Sequence, residues 1–131
     1  MQFILSNDTL EGSQALLSRL LAELESGKRV LWIVSGGSNI TASVTVMKQI
    51  PSRVQAGLTI LLSDERYGPS GHPDSNFQQL LDSGLAVAGA RLIPTLQDGL
   101  DLAATAAAYA TTLQAEFSKA EVIISQLGIG A

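Results

Sequence analysis

The chain contains no cysteine, which excludes disulfides, thiolate metal sites and cysteine nucleophiles. It has a single histidine, His72, so no multi-histidine metal site can be assembled, and no metal is expected. Aromatic residues make up only 5% of its 131 residues, and charged residues only 15%. An interior of Ala, Leu, Ile and Val suits layered α/β packing better than an aromatic-rich β-sandwich. No basic patch is visible and the net charge is −4, so a nucleic-acid partner is not expected. No apolar stretch is long enough to span a bilayer, and no signal-peptide pattern opens the sequence. The expectation is a cytoplasmic protein without a membrane partner. Against these absences stands an apolar content of 46%, enough to give one domain a real core.

What is present alternates. Phe3–Leu5 reads as a short edge strand or a lead-in. Asn7–Thr9 offers helix caps before Leu10, Leu17, Leu20, Leu21 and Leu24, which recur at helical spacing, and Gly27 closes that helix. Arg29–Val34 and Leu58–Leu62 are almost wholly apolar runs, as expected of strands covered on both faces. Between them, Asn39–Ile50 reads as a helix ended by Pro51. Asp64–Asp74 is a polar loop, Ser75–Leu81 a short helix and Ala90–Ile93 a strand leading to Pro94. Leu102, Ala106, Tyr109, Leu113 and Phe117 mark one face of a long Ala-rich helix, and Glu121–Leu127 is a further strand. Trp32 and Met47 fall at core positions. The order implies βαβ units: a parallel, Rossmann-like three-layer sheet with helices on both faces. Residues 1–131 read as a single α/β domain that stops short after the strand ending near Leu127. A cut sheet would expose an edge and apolar surface, so self-association through that edge is an expectation.

In such a sheet the loops after the three clear strands emerge on one side, where open α/β sheets bind ligands. The first is Ser35-Gly36-Gly37-Ser38, which opens a helix. Glycine lets backbone approach a ligand closely, and first-turn N–H groups lack internal partners and attract phosphate. Alone, the pattern also fits a plain strand-to-helix turn. The second is Ser63-Asp64-Glu65-Arg66-Tyr67. A carboxylate above a dry sheet can act as a base or orient a ring hydroxyl, and an arginine can fork onto phosphate. Asp64 and Arg66 read as functional, and Glu65 as part of a solvated, salt-bridged loop. A carboxylate paired with Arg66 would be a weak base. His72, in a Gly/Pro loop, reads as solvent-exposed, with ligand contact the lesser alternative. Ser75 and Asn76 read as helix caps before they read as contacts. The third loop is Gly128-Ile129-Gly130-Ala131. It has the start of a dinucleotide fingerprint without the third glycine or the following helix.

"SGGSN", "LLSDERYGPSGHPDSNF" and "VIISQLGIGA" resemble, in order and spacing, three motifs of the 6-phosphogluconolactonase family, which shares a superfamily with the glucosamine-6-phosphate deaminases. The resemblance spans nearly the whole chain but about the first half of a family member. Deaminases carry Asp-Glu-Tyr where this chain has Asp64-Glu65-Arg66, which favours the lactonase side. Where the family usually has Thr-Pro, this chain has Asn39-Ile40. The resemblance implies hydrolysis of 6-phosphogluconolactone to 6-phosphogluconate, in the pentose phosphate route, with no metal or organic cofactor. It places the sugar phosphate's anionic group on Ser35, Gly36, Gly37, Ser38 and Arg66, near Gly128 and Gly130, and Asp64 near the ring, with His72 and Asn76 as minor contacts. It assigns the water-activating base to a histidine in an Asp-Gly-His segment that follows the third glycine motif and is not among residues 1–131. An amino-sugar phosphate deaminase, a non-catalytic sugar-phosphate-binding module and a nucleotide-binding domain are the competing expectations.

Overall fold

The leucine- and valine-rich runs pair into one parallel sheet. A computed structural model describes residue 3 and residues 5–128. Its strands are β1 (Val30–Val34), β2 (Leu58–Leu62), β3 (Arg91–Leu92) and β4 (Val122–Ser125), ordered β3-β2-β1-β4 with every neighbouring pair parallel. The helices are α1 (Thr9–Glu25), α2 (Asn39–Met47), α3 (Asn76–Asp82) and α4 (Leu102–Lys119). The expected α/β architecture is the one observed.

Strand register decides which residues meet which helices. Trp32 lies beside Ile60 and Ile124, and Leu31 beside Thr59 and Ile123. Paired positions share a face of the sheet. One face carries Val30, Trp32, Val34, Leu58, Ile60 and Leu62, packed with Leu20 and Leu24 of α1, Val44 and Met47 of α2 and Leu80 of α3. Trp32 and Met47 are therefore core residues. The other face carries Leu31, Leu61 and Arg91, and α4 covers it. Glu116 of α4 pairs with Arg91, and the Tyr109 hydroxyl donates to the Leu62 carbonyl. Helices cover both faces, although Ile123 of β4 remains half exposed.

The helix limits follow local chemistry. The Asp8 carboxylate accepts the Leu10 N–H and starts α1. Gly27, at φ +81°, lets the Lys28 N–H reach the Glu23 carbonyl and close the helix. Other limits differ from expectation. Of the two readings of Phe3–Leu5 the lead-in fits, since Phe3 and Leu5 lie outside the sheet and are exposed. Helix α2 stops at Met47, because the Gln49 and Ile50 N–H groups bond three residues back, to Val46 and Met47, in a tighter turn before Pro51. A 3-10 helix, Ser52–Gly57, is unanticipated. Strand β3 has only two residues, since Pro94 has no N–H to continue the ladder. Strand β4 ends at Ser125 rather than Leu127, after which the Gln126 N–H makes one last bond to the Ile33 carbonyl.

From β1 through β2 to β3 the chain steps in one direction with α2 and α3 on one face. From β3 to β4 it returns over the opposite face through α4. Both crossovers therefore have the same hand, as right-twisted strands require. The direction reverses between β1 and β4, and the crevice outside the carboxyl ends of those strands is where such sheets hold ligands.

Candidate functional site

The loop Ser35–Ser38 leaves β1 and enters α2. Gly37 takes φ +65°, a left-handed conformation that glycine adopts at little cost. The Ser38 side chain makes no capping bond to α2. Among the described residues, no acceptor is bonded to the N–H groups of Gly36, Gly37 or Ser38. Unpartnered donors at a helix start, with the partial positive charge of the helix dipole, suit an anion. Gly36 also meets a steric demand, since a Cβ there would lie 2.2 Å from Asn76 Oδ1.

Asp64 follows β2. Its carboxylate accepts from Ser63 Oγ at 2.9 Å and from Asn76 Nδ2 at 3.4 Å, and its carbonyl accepts from Asn76 Nδ2 at 3.1 Å. Among the described residues it forms no ion pair with Arg66, so the pairing considered from the sequence is not found. The arginines divide sharply. Arg19, Arg29, Arg53 and Arg91 pair with Glu23, Glu121, Glu25 and Glu116. Arg66 pairs with no carboxylate among the described residues and is exposed.

These groups converge. A cleft of about 350 Å³ is lined by Ser35, Gly36, Gly37, Ser38 and Asn39 from the first loop, Ser63, Asp64 and Arg66 from the second, Asn76 from α3, and Leu127 and Gly128 from the third. It opens at the switch point between β1 and β4. Asn39 closes one wall, its Nδ2 donating to Ser35 Oγ at 2.8 Å while a Cβ on Gly128 would approach that Nδ2 to 3.3 Å. Gly130 lies outside the described residues.

Four further residues of this segment take definite places. His72 does not line the cleft. Its Nε2 donates to the Arg66 carbonyl at 2.9 Å, folding the loop onto itself beside Gly68. Ser75 is the α3 cap, accepting the Gln78 N–H, whereas Asn76 is the first helical residue and a wall of the cleft. Glu65 is half-buried and makes no ion pair among the described residues. Its carboxylate accepts from the N–H groups of Arg66, Asn76 and Phe77 and from Ser75 Oγ. The solvated, salt-bridged reading of Glu65 is thus corrected, because backbone donors of the following helix supply what an ion pair would.

A second cavity, about 300 Å³, lies under α4 and shares Ser63 and Asp64 with the cleft. Leu96, Leu102, Ala106, Tyr109 and Leu113 make it largely apolar. Burial pushes the Tyr109 phenol above its usual range, against the opposing pull of the bond to Leu62. Among the described residues no three His, Asp or Glu side chains are grouped as metal ligands, and no helix is long and apolar enough to cross a membrane.

The family model for glucosamine-6-phosphate isomerases/6-phosphogluconolactonase matches residues 9–131. The chain belongs to this family. Two solved structures are similar. One is a 6-phosphogluconolactonase from Shewanella baltica OS155, with TM-score 0.64 and 24% identity over 82% of this chain and 48% of that one. The other is a candidate 6-phosphogluconolactonase from Neisseria gonorrhoeae FA 1090, with TM-score 0.54 and 27% identity over 76% of this chain and 45% of that one. The first supports the fold alone. This chain spans just under half the length of both structures. No curated protein matches it.

Proposed function

We propose that the cleft binds 6-phosphogluconolactone and that the protein hydrolyses it to 6-phosphogluconate, a step of the pentose phosphate route. The observation that carries this reading is the pairing pattern of the arginines. Arg66 alone among them lacks a carboxylate partner among the described residues, and it faces the same cleft as the open donors of Gly36–Ser38. In this reading the phosphate sits over Gly36–Ser38, with Arg66 completing its charge balance. Asp64, the one acidic residue lining the cleft among the described residues, and Asn76 face the sugar. Net acidity is no obstacle, since a helix terminus and one guanidinium act locally.

The chemistry asks for a base. A positioned general base contributes about 10²–10⁴-fold, and His72 is engaged with the Arg66 carbonyl. Residues 1–131 alone are therefore expected to bind the product but to add little to spontaneous lactone hydrolysis, measured against a no-enzyme blank. Rapid hydrolysis by these residues would make Asp64 the base. The deciding experiment is calorimetric titration with 6-phosphogluconate. Arg66→Ala should weaken binding by roughly 1.5–3 kcal/mol, the scale of a charged hydrogen bond. Unchanged affinity in a folded variant would return Arg66 to the role of an ordinary surface charge. Turnover assays with an amino-sugar phosphate test the isomerising activity that the family description also covers.

A further inference from the structure

We propose that Glu65 is a positioning residue for the ligand cleft, acting through Asn76. The inference rests on the reading of the cleft as a sugar-phosphate site. Glu65 itself does not line the cleft. Both of its carboxylate oxygens are used. Oε1 accepts the Arg66 N–H at 2.8 Å and the Asn76 N–H at 2.6 Å, and Oε2 accepts Ser75 Oγ at 3.0 Å and the Phe77 N–H at 3.1 Å. Four donors converge on one half-buried charge, and no cation shares it among the described residues.

Ser75 caps α3 through the Gln78 N–H, and Glu65 takes the Asn76 and Phe77 N–H groups of the same helix start, but capping does not account for its bond to the Arg66 N–H. What Glu65 adds is a tie between the end of β2 and the start of α3, across the loop that carries Arg66. The tie fixes Asn76. That side chain donates to both the carbonyl and the carboxylate of Asp64, and its Oδ1 fills the space a Cβ on Gly36 would need. One amide therefore sets the distance between the phosphate loop and the carboxylate. Moving it disturbs both halves of the cleft at once.

Glu65→Gln keeps the shape but turns one acceptor oxygen into an NH₂ group that faces donors, so Asn76 loses its fixed place. The test titrates 6-phosphogluconate into the wild type, E65Q, N76A and the double variant at a temperature where all are folded. E65Q should weaken binding about tenfold without touching ligand, and N76A similarly. The double variant should be no weaker than the worse single one, the sign of two groups acting as a unit. If E65Q does not fold, E65D, which keeps the charge on a shorter arm, is read in its place with the same expectation. Wild-type affinity in the Glu65 variant, or additive losses in the double variant, overturns the positioning role and leaves the cleft assignment standing. A wild type that binds no 6-phosphogluconate overturns the cleft assignment and this inference with it.

Discussion

The loops after β1 and β2 flank one cleft but are built in opposite ways. Ser35–Ser38 is held by almost nothing of its own. It has one side-chain bond, from Asn39 to Ser35, and backbone donors without acceptors among the described residues. The segment from Asp64 to Asn76 is held many times over, by Glu65, Asn76, Ser75 and His72. The difference teaches a division of labour. The first loop offers unsatisfied donors, which a free protein keeps only where water or a ligand can meet them. The second is stiff, and so can hold Arg66 and Asp64 at fixed places around those donors. Substitutions in the first loop should therefore act mainly on affinity, and those in the second on affinity and stability together.

Gly36→Ala should have the largest effect, because it makes the two loops collide. The new Cβ would lie 2.2 Å from Asn76 Oδ1 and 2.5 Å from its Cγ, so the whole amide must swing away from Asp64. Overpacking of this kind costs about 1–3 kcal/mol, and here the cost should appear in 6-phosphogluconate affinity more than in melting temperature. A variant that binds normally would show that Asn76 does not set the cleft. His72→Ala comes next. It frees the Arg66 carbonyl and loosens the stiff loop without removing a cleft wall. A loss of about 0.5–1.5 kcal/mol in stability, with a smaller loss of affinity, is expected from denaturation and titration in parallel. An affinity loss matching that of Arg66→Ala would instead place His72 on the ligand.

The smallest effect on binding lies away from both loops. Tyr109 keeps its proton in the folded protein because burial raises its pKa, whereas the unfolded chain releases it near pH 10. Between those values the folded state binds more protons, so stability falls as pH rises above about 10. Tyr109→Phe removes that part of the fall and costs about 1 kcal/mol at neutral pH through the lost bond to Leu62. Urea unfolding at neutral and alkaline pH checks both signs. Affinity for 6-phosphogluconate should not change, since Tyr109, on the sheet-facing side of α4, does not line the cleft.

Much of this was legible in the sequence, for identifiable reasons. Strand β2 has its expected limits because Leu58–Leu62, apolar but for the β-branched Thr59, stands between a glycine and a polar loop. The shared edge of the three loops followed from parallel topology alone. Strand and helix ends were less legible where a single proline or one backbone bond decides them, as at Pro94 and Gln126. Glu65 is the least legible residue of the site. Its partners are ten to twelve residues away and meet it only after the loop folds back, so no local spacing announces them. The nearest signal was an acidic residue upstream of the Ser75-Asn76 helix start. The role of Asn76 is obscured for a related reason. Its type suits a cap, but Ser75 occupies that position and leaves the amide free to reach Asp64.

A structure of the protein with 6-phosphogluconate would show directly which groups hold the phosphate. The phosphate is expected over the N–H groups of Gly36–Ser38, within hydrogen-bond reach of the Arg66 guanidinium, with the sugar toward Asp64 and Asn76. A phosphate bound instead at the amino edge of the sheet, among Arg29, Arg91 and Lys119, would contradict this expectation.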